Sequence, residues 1–415
     1  MKDLALILWV ALIGADRIDL LGGAGPIVLT PYFLLTPLVI WQEALRRRRA
    51  GGSILPCMPV RGSTYASCLL ALLSTAGLSV LVSRDVTTSV GRLTLLIAIS
   101  CGSGLVLWSV WDDPRWRDRL AQGARWGLVL CAAVSFLEIA QFVGQVPAEW
   151  SVGPVRLRLD PYTYAGILPR ISGPTLDPNR AGLVILLHGA LALRSLRSRR
   201  WAMLSSLLLL GTLSRSALLA AIAYRLLRSP NTNSRDLPRR LPPRTGIPLF
   251  VAVSAVALLL SPVSRERLGR FLAPVGQRVS LSEGSAQSHT ALIRQGIAEA
   301  TRNVERTLLG VGYGTSYLLL RDRFGGNRYG NFHSLYVTLW VESGIFGLLF
   351  LSILLFRPLT LSGEWRPLLL GAILFNLFYQ ASTDAAFWAI TALAWSAPPH
   401  PTPGGRDDSP HMHLL

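Results

Sequence analysis

Twelve apolar stretches, divided by short polar turns, leave this chain few ways to fold. They fall at about residues 4–21, 26–41, 65–82, 93–111, 124–143, 181–194, 201–213, 216–228, 247–261, 335–356, 367–383 and 385–397. Many run to about 17–20 residues, long enough as helix to cross a hydrocarbon core of ~30 Å. The pattern predicts an all-α polytopic membrane protein with about 11–12 transmembrane helices, the last stretch being short. Residues 1–397 then form a single transmembrane domain with a long loop, 262–334, inserted; the proline-rich 398–415 reads as a disordered tail. Composition agrees, because 15% of residues are charged and mean hydropathy is +0.41, whereas soluble domains are about a quarter charged.

The net charge of +18 would suit nucleic acid in a soluble chain. Here most arginines stand in short clusters between apolar runs, which is a topology signal, so no nucleic-acid partner is expected. Lys2 is the only lysine, so the choice of arginine at any one position is no argument for phosphate. Arg46 to Arg49 form the clearest cluster and belong on the cytoplasmic side. Counting outward, Arg115, Arg117, Arg119 and Arg125, then Arg194, Arg197, Arg199 and Arg200, then Arg235, Arg239, Arg240 and Arg244, share that side. The opposite, outer side holds 144–180, the Ser214–Arg215 turn and 262–334. The last carries ten arginines against five acids. A loop that long is largely exempt from the positive-inside rule, and its charge suits an anionic ligand or plain solvation. Cys57, Cys68, Cys101 and Cys131 lack metal-ligand spacing and predict no structural disulfide. Ile7 to Leu21 lacks the flanks of a cleaved signal and reads as an uncleaved span.

Within this frame a few polar residues are out of place. Trp201 to Leu227 is almost wholly apolar except around Thr212, Ser214, Arg215 and Ser216, between two cytoplasmic arginine clusters. A hairpin keeps those clusters together, but arms of about 13 residues give only about 20 Å of helix each. Arg215 therefore sits below the outer surface, either as a functional cation or as a structural ion pair between helices. In Arg170 to Gly182, glycine and proline hold tight turns just before a span, where Arg170, Asn179 and Arg180 can approach a ligand. Asp177 or Asn179 equally suits the cap of the following helix. Ser288 to Arg302 predicts an amphipathic helix packing through Leu292, Ile293, Ile297 and Ala298, with Arg294 turned inward or simply on the surface. Gly310-Val311-Gly312-Tyr313-Gly314 follows no strand, so close backbone packing is a better use of its glycines than nucleotide binding. His333 stands where the outer loop meets an apolar helix, either as a titratable group on a rigid support or as a helix-end residue. His188, within a span, and His289, on the loop helix, have ordinary readings, as do His400, His411 and His413 in the tail.

Together these pieces resemble the O-antigen ligase and O-antigen polymerase superfamily of bacterial membrane glycosyltransferases. Arg170 to Gly182 is similar to the family's R-x-x-G…P-N loop, and Leu213 to Leu218 to its S-R helix. Gly310 to Gly314, His333 and Glu342-Ser343-Gly344-Ile345-Phe346-Gly347 resemble its G-x-G…H…E-x-G-x-x-G ending. The patches span about residues 165–356; the N-terminal third matches only in hydropathy. Ser334 departs from the pattern, since many members carry Asn after the histidine.

The resemblance implies a GT-C-like fold and metal-independent glycosyl transfer at the periplasmic face of the bacterial inner membrane. The donor is then a glycan on undecaprenyl pyrophosphate, the acceptor a sugar hydroxyl on lipid A-core or on another glycan, and the setting lipopolysaccharide or related polysaccharide biosynthesis. No cofactor is expected. A pyrophosphate leaving group without metal needs cations from the protein, and arginine donates paired hydrogen bonds to phosphate. Arg215 and Arg294, helped by Arg170 or Arg180, are the expected pyrophosphate ligands. His333 is the expected group that orients or deprotonates the acceptor hydroxyl, with direct displacement inverting the anomeric centre. The alternative is a lipid-linked glycan flippase or exporter that breaks no bond. One short hairpin without a partner in the other half argues against it.

Overall fold

The computed structural model describes residues 3–21, 29–53, 62–111, 113–159, 162–164, 168–195, 198–228, 284–324, 330–361 and 363–396. The expected span at 247–261, the polar stretch 230–244, the tail 398–415 and Cys57 lie outside the described residues.

Fourteen helices and two small sheets make up the described residues, an all-α polytopic membrane architecture. Four helices are long and apolar enough to cross a membrane: α3 (Gly62–Val80), α4 (Val86–Val110), α5 (Trp116–Phe142) and α12 (Leu335–Thr360). Around them stand α1 (Leu4–Ala11), α2 (Pro31–Arg49), α6 (Pro178–Ser195), α7 (Arg199–Gly211), α8 (Arg215–Leu227), α13 (Arg366–Phe375) and α14 (Ala385–Trp395). Three helices of the inserted loop, α9 (Gly284–Ala300), α10 (Val304–Leu309) and α11 (Ser316–Phe324), lie at the end where α12 begins.

Two expected spans are shorter than their hydropathy suggests. The run 4–21 is helical only to Ala11; Gly14 then adopts φ +78°, and Ile18–Asp19 form strand β1. Asp16, Arg17 and Asp19 explain the break, since each needs a polar partner that an apolar span cannot offer. The run 367–383 ends as helix at Phe375, and 376–384 returns as a loop before α14. The α7–α8 hairpin, two arms of 13 residues, thus has a second broken pair, α13–α14, packed beside it. Small residues allow the approach: a Cβ on Gly371 of α13 would come 2.8 Å from the Ala220 carbonyl oxygen of α8. On Gly182 of α6 it would meet the Ala217 Cβ at 2.2 Å. Membrane helices pack closest through such positions.

The strands were not anticipated. β2 (Glu149–Val152) and β3 (Val155–Arg158) pair as a hairpin, and β1 joins the outer side of β3. Gly153, φ +58°, takes the first of the two turn positions, as a type II′ turn requires. β4 (Tyr162–Tyr164) and β5 (Leu168–Arg170) form a second hairpin leading into the 170–180 loop.

The two ends of the bundle are held differently. At the Arg46 end, Arg46 bonds Glu43 at 2.6 Å and Asp113 at 2.8 Å, and the buried Arg119 joins Glu43 at 3.0 Å, Asp113 and Asp3. At the other end, α12 is kinked at Gly344, φ 70° and ψ −175°, a conformation essentially reserved for glycine. A Cβ there would lie 1.9 Å from the Leu308 carbonyl oxygen. Gly344→Ala is therefore expected to cost more than the about 1–3 kcal/mol of backbone strain alone. Gly91→Ala, helical and with open space around it, is expected to be neutral or stabilising. Thermal unfolding of both variants in detergent checks the pair; equal midpoints would contradict it.

Candidate active site

The 170–180 loop owes its shape to a buried ion pair far away in sequence. Arg17 Nη2 lies 2.5 Å from Glu138 Oε1, and both side chains are almost fully buried. Glu138 Oε2 accepts the Ser172 and Gly173 amides at 2.9 Å each, while Arg17 Nε donates to the Thr175 carbonyl at 2.7 Å. The arginine and the carboxylate thus act as two halves of one clamp on the loop backbone. Removing one partner of a buried pair costs about 3–5 kcal/mol. Glu138→Ala is expected to lose that much stability and the loop's order with it. Glu138→Gln, which retains an acceptor oxygen, falls between it and wild type; unfolding midpoints in detergent give the order.

The loop in turn joins two other elements. Arg170 Nε donates to the Thr212 carbonyl at 3.0 Å, Arg170 Nη2 donates to Asn179 Oδ1 at 3.3 Å, and the Ile171 amide donates to Gly211. Those contacts seat the loop on the tip of the α7–α8 hairpin. There Leu213 takes φ 50°, the buried Ser214 caps α8 through the Ala217 amide, and Arg215, half-buried, is its first residue. On its other side the loop presents Asp177. This carboxylate caps α6, accepting the Asn179 amide at 2.7 Å and the Arg180 amide at 3.2 Å. The capping reading therefore holds for Asp177, while Asn179 turns to Arg170.

Asp177 also faces His333. Burial pushes the His333 imidazole below its ordinary pKa, and the negative charge of Asp177 works in the opposite direction. His333 sits at φ 52°, an unusual conformation for a residue with a side chain, held by its amide bonding Asn331 Oδ1 at 2.8 Å. Just beyond, the Leu335 amide donates to the Asn376 and Tyr379 carbonyls, anchoring the start of α12 on the α13–α14 loop. The His289 ring stacks on His333, 4.1 Å between centroids and 12° between planes. His289 was the residue that spacing could not single out, because its partner comes from another helix.

The glycine run 310–314 serves close backbone packing. Val311 and Gly312 donate their amides to the Val341 and Glu342 carbonyls at the α12 kink, and a Cβ on Gly310 would meet the Glu342 backbone at 2.5 Å. Glu342 itself is buried and accepts Ser316 Oγ at 2.6 Å. The E-x-G segment thus supports the 310–314 run.

Two expected ligands are placed otherwise. Arg180 lies 2.8 Å from Asp16, pairs with Asp384 and donates to the Thr383 carbonyl at 3.2 Å, so each guanidinium nitrogen already has a protein partner. It holds the 170–180 loop to the α13–α14 loop. Helix α9 buries Leu292, Gly296, Glu299 and Ala300, whereas Ile297, Ala298 and Arg294 are exposed. The packing face is rotated from the expected one, because Gly296 lets the Phe332 ring and Val337 close on the helix. Arg294 therefore faces outward rather than into the bundle. The structure brings Arg170, Asn179, Arg215 and His333 around one loop; it leaves Arg294 on the neighbouring helix surface.

Residues 201–352 match the family described as O-antigen ligase. Over that stretch the chain is similar to O-antigen ligases, which supports membership of the O-antigen ligase and polymerase superfamily and, in general terms, its glycan transfer from a lipid-linked glycan to an acceptor. The matched stretch contains Arg215, Arg294, His333 and the Glu342–Gly347 segment, while the clamped 170–180 loop lies ahead of it. No curated protein matches the chain.

Proposed function

We propose that this chain transfers a glycan from undecaprenyl pyrophosphate to a sugar hydroxyl on the periplasmic side, without metal. The observation that carries the reading is the 170–180 loop, which ties the Arg215 hairpin tip on one side to Asp177 and His333 on the other. A cationic group and a base held on two sides of one rigid loop suit a displacement in which leaving group and nucleophile are on opposite faces of the reacting carbon.

In this reading Arg215, with Arg170 behind it, holds the pyrophosphate, and Arg294, on the exposed face of α9, takes no part. His333, neutral near pH 7, takes the proton of the acceptor hydroxyl. The hydroxyl oxygen forms the new bond to the anomeric carbon, and the old bond to the pyrophosphate oxygen breaks. Its electron pair stays on the leaving group, where arginine charge in a low-dielectric site stabilises it. His289 limits the tilt of the His333 ring, and Arg180 positions both loops without touching substrate.

The test is product formation by the purified chain in EDTA, with undecaprenyl-pyrophosphate glycan as donor and lipid A-core or free glycan as acceptors. Transfer to either acceptor without metal supports the reading, and the better acceptor tells ligase from polymerase. Transfer that returns only on adding a divalent cation overturns the metal-independent mechanism.

A further inference from the structure

A cavity of about 170 Å³ that the proposed mechanism leaves unused has Asn331, two residues before His333, in its wall. Its walls include Arg92 of α4, Tyr313, Asn331, and Gln380, Ser382 and Thr383 of the α13–α14 loop. Five of these six carry amide or hydroxyl groups at side chains of differing reach, a set that pairs with ring hydroxyls as both donor and acceptor. Asn331 is the link to the chemistry. Its Oδ1 already accepts the His333 amide, so a group bound in the cavity through the Asn331 amide nitrogen is placed next to the imidazole's backbone.

Arg92 gives the cavity its sign. Its stem lies on Gly314, where an added Cβ would come 2.5 Å from Arg92 Cγ, and the residue as a whole is exposed. Among the described residues it has no ion-pair or hydrogen-bond partner. The one carboxylate in the lining, Glu342, is occupied by the Ser316 hydroxyl at 2.6 Å and the Ser316 amide at 3.2 Å. Arg92 attracts Glu342 without bonding it, and an arginine unbonded beside amide and hydroxyl groups fits a polar ring that brings its own negative charge.

Resting on the transfer reading for its role, we propose that this cavity is the subsite for the acceptor's terminal sugar and selects one bearing a carboxylate, which Arg92 binds. The sugar's hydroxyl then projects past Asn331 toward His333.

The experiment measures equilibrium binding to the full-length chain in detergent of matched methyl hexuronides and methyl hexosides, in gluco and galacto configurations. Wild type is expected to bind a hexuronide roughly tenfold or more tighter than its hexoside, the worth of one charge-assisted hydrogen bond. Arg92→Gln erases that preference and Arg92→Lys keeps part of it. Gln380→Ala weakens both members of a pair alike. Equal binding of the pair by wild type, or a preference that survives Arg92→Gln, overturns the subsite. Inorganic phosphate displacing the hexuronide at equal concentration overturns the sugar assignment and makes it a phosphate site. Sugar binding without glycan transfer from any donor removes the transfer reading instead, and leaves the carboxylate-selective cavity standing.

Discussion

Replacing His333 with alanine is expected to lower the rate of glycan transfer by roughly 10²–10⁴-fold, the usual worth of a general base. The protein should remain folded. His333 already bears the strain of φ 52°, and alanine there adds only a small further cost. The pH profile separates a base from a packing residue. Burial holds the His333 pKa below its ordinary value, so the neutral, proton-accepting form prevails at neutral pH. Transfer should be flat there and fall only on acidification past the ordinary histidine range. The charge of Asp177 acts upward on that pKa. Asp177→Asn, which can still cap α6, therefore moves the acid limb to lower pH. A limb that moved up, or one that persisted in His333→Ala, would assign the titration to another group.

Arg215→Ala is expected to cost roughly 10²–10³-fold in kcat, the scale seen when one preorganised donor to developing charge is removed. The loss belongs in kcat because charge on the pyrophosphate oxygen grows as the glycosidic bond breaks, so the arginine matters more in the transition state than in the bound donor. Arg215→Lys keeps a charge but not the planar pair of donors, and should recover only part of the rate. Steady-state kinetics on the folded variants checks both. An Arg215→Ala enzyme with unchanged kcat and raised KM would make Arg215 a donor-binding residue with no part in the chemical step.

What the chain order reveals and what it hides divide along physical lines. The α7–α8 hairpin was legible because four polar residues interrupt an apolar run whose two flanks carry the same charge signal. The close packing of Gly310, Gly312 and Gly314 was legible because glycines without a strand or a phosphate loop around them have few other uses. The clamp of Arg17 on Glu138 was not, since 121 positions separate the pair and no periodicity encodes such a meeting. Hydropathy also hid the end of α13. Residues 376–383 hold Leu377, Phe378 and Tyr379 amid polar neighbours, and a window average passes over the break that brings Gln380, Ser382 and Thr383 to the cavity wall. Arg180 looked available from its turn-rich setting; only the fold brings Asp16 and Asp384 to it from opposite ends of the chain. The second broken pair, α13–α14, also weakens the contrast with exporters that a single hairpin provided. Function at the bond-making level therefore rests on the loop around His333 rather than on helix count.

That rest point is open to one direct measurement. The wild-type protein, in EDTA, is given a lipid-pyrophosphate donor of known anomeric configuration, and the configuration of the new glycosidic bond is read by NMR. A single displacement with His333 as base predicts inversion at the anomeric carbon. A retained configuration would contradict it, because retention requires two successive displacements and an enzyme nucleophile that first takes up the glycan.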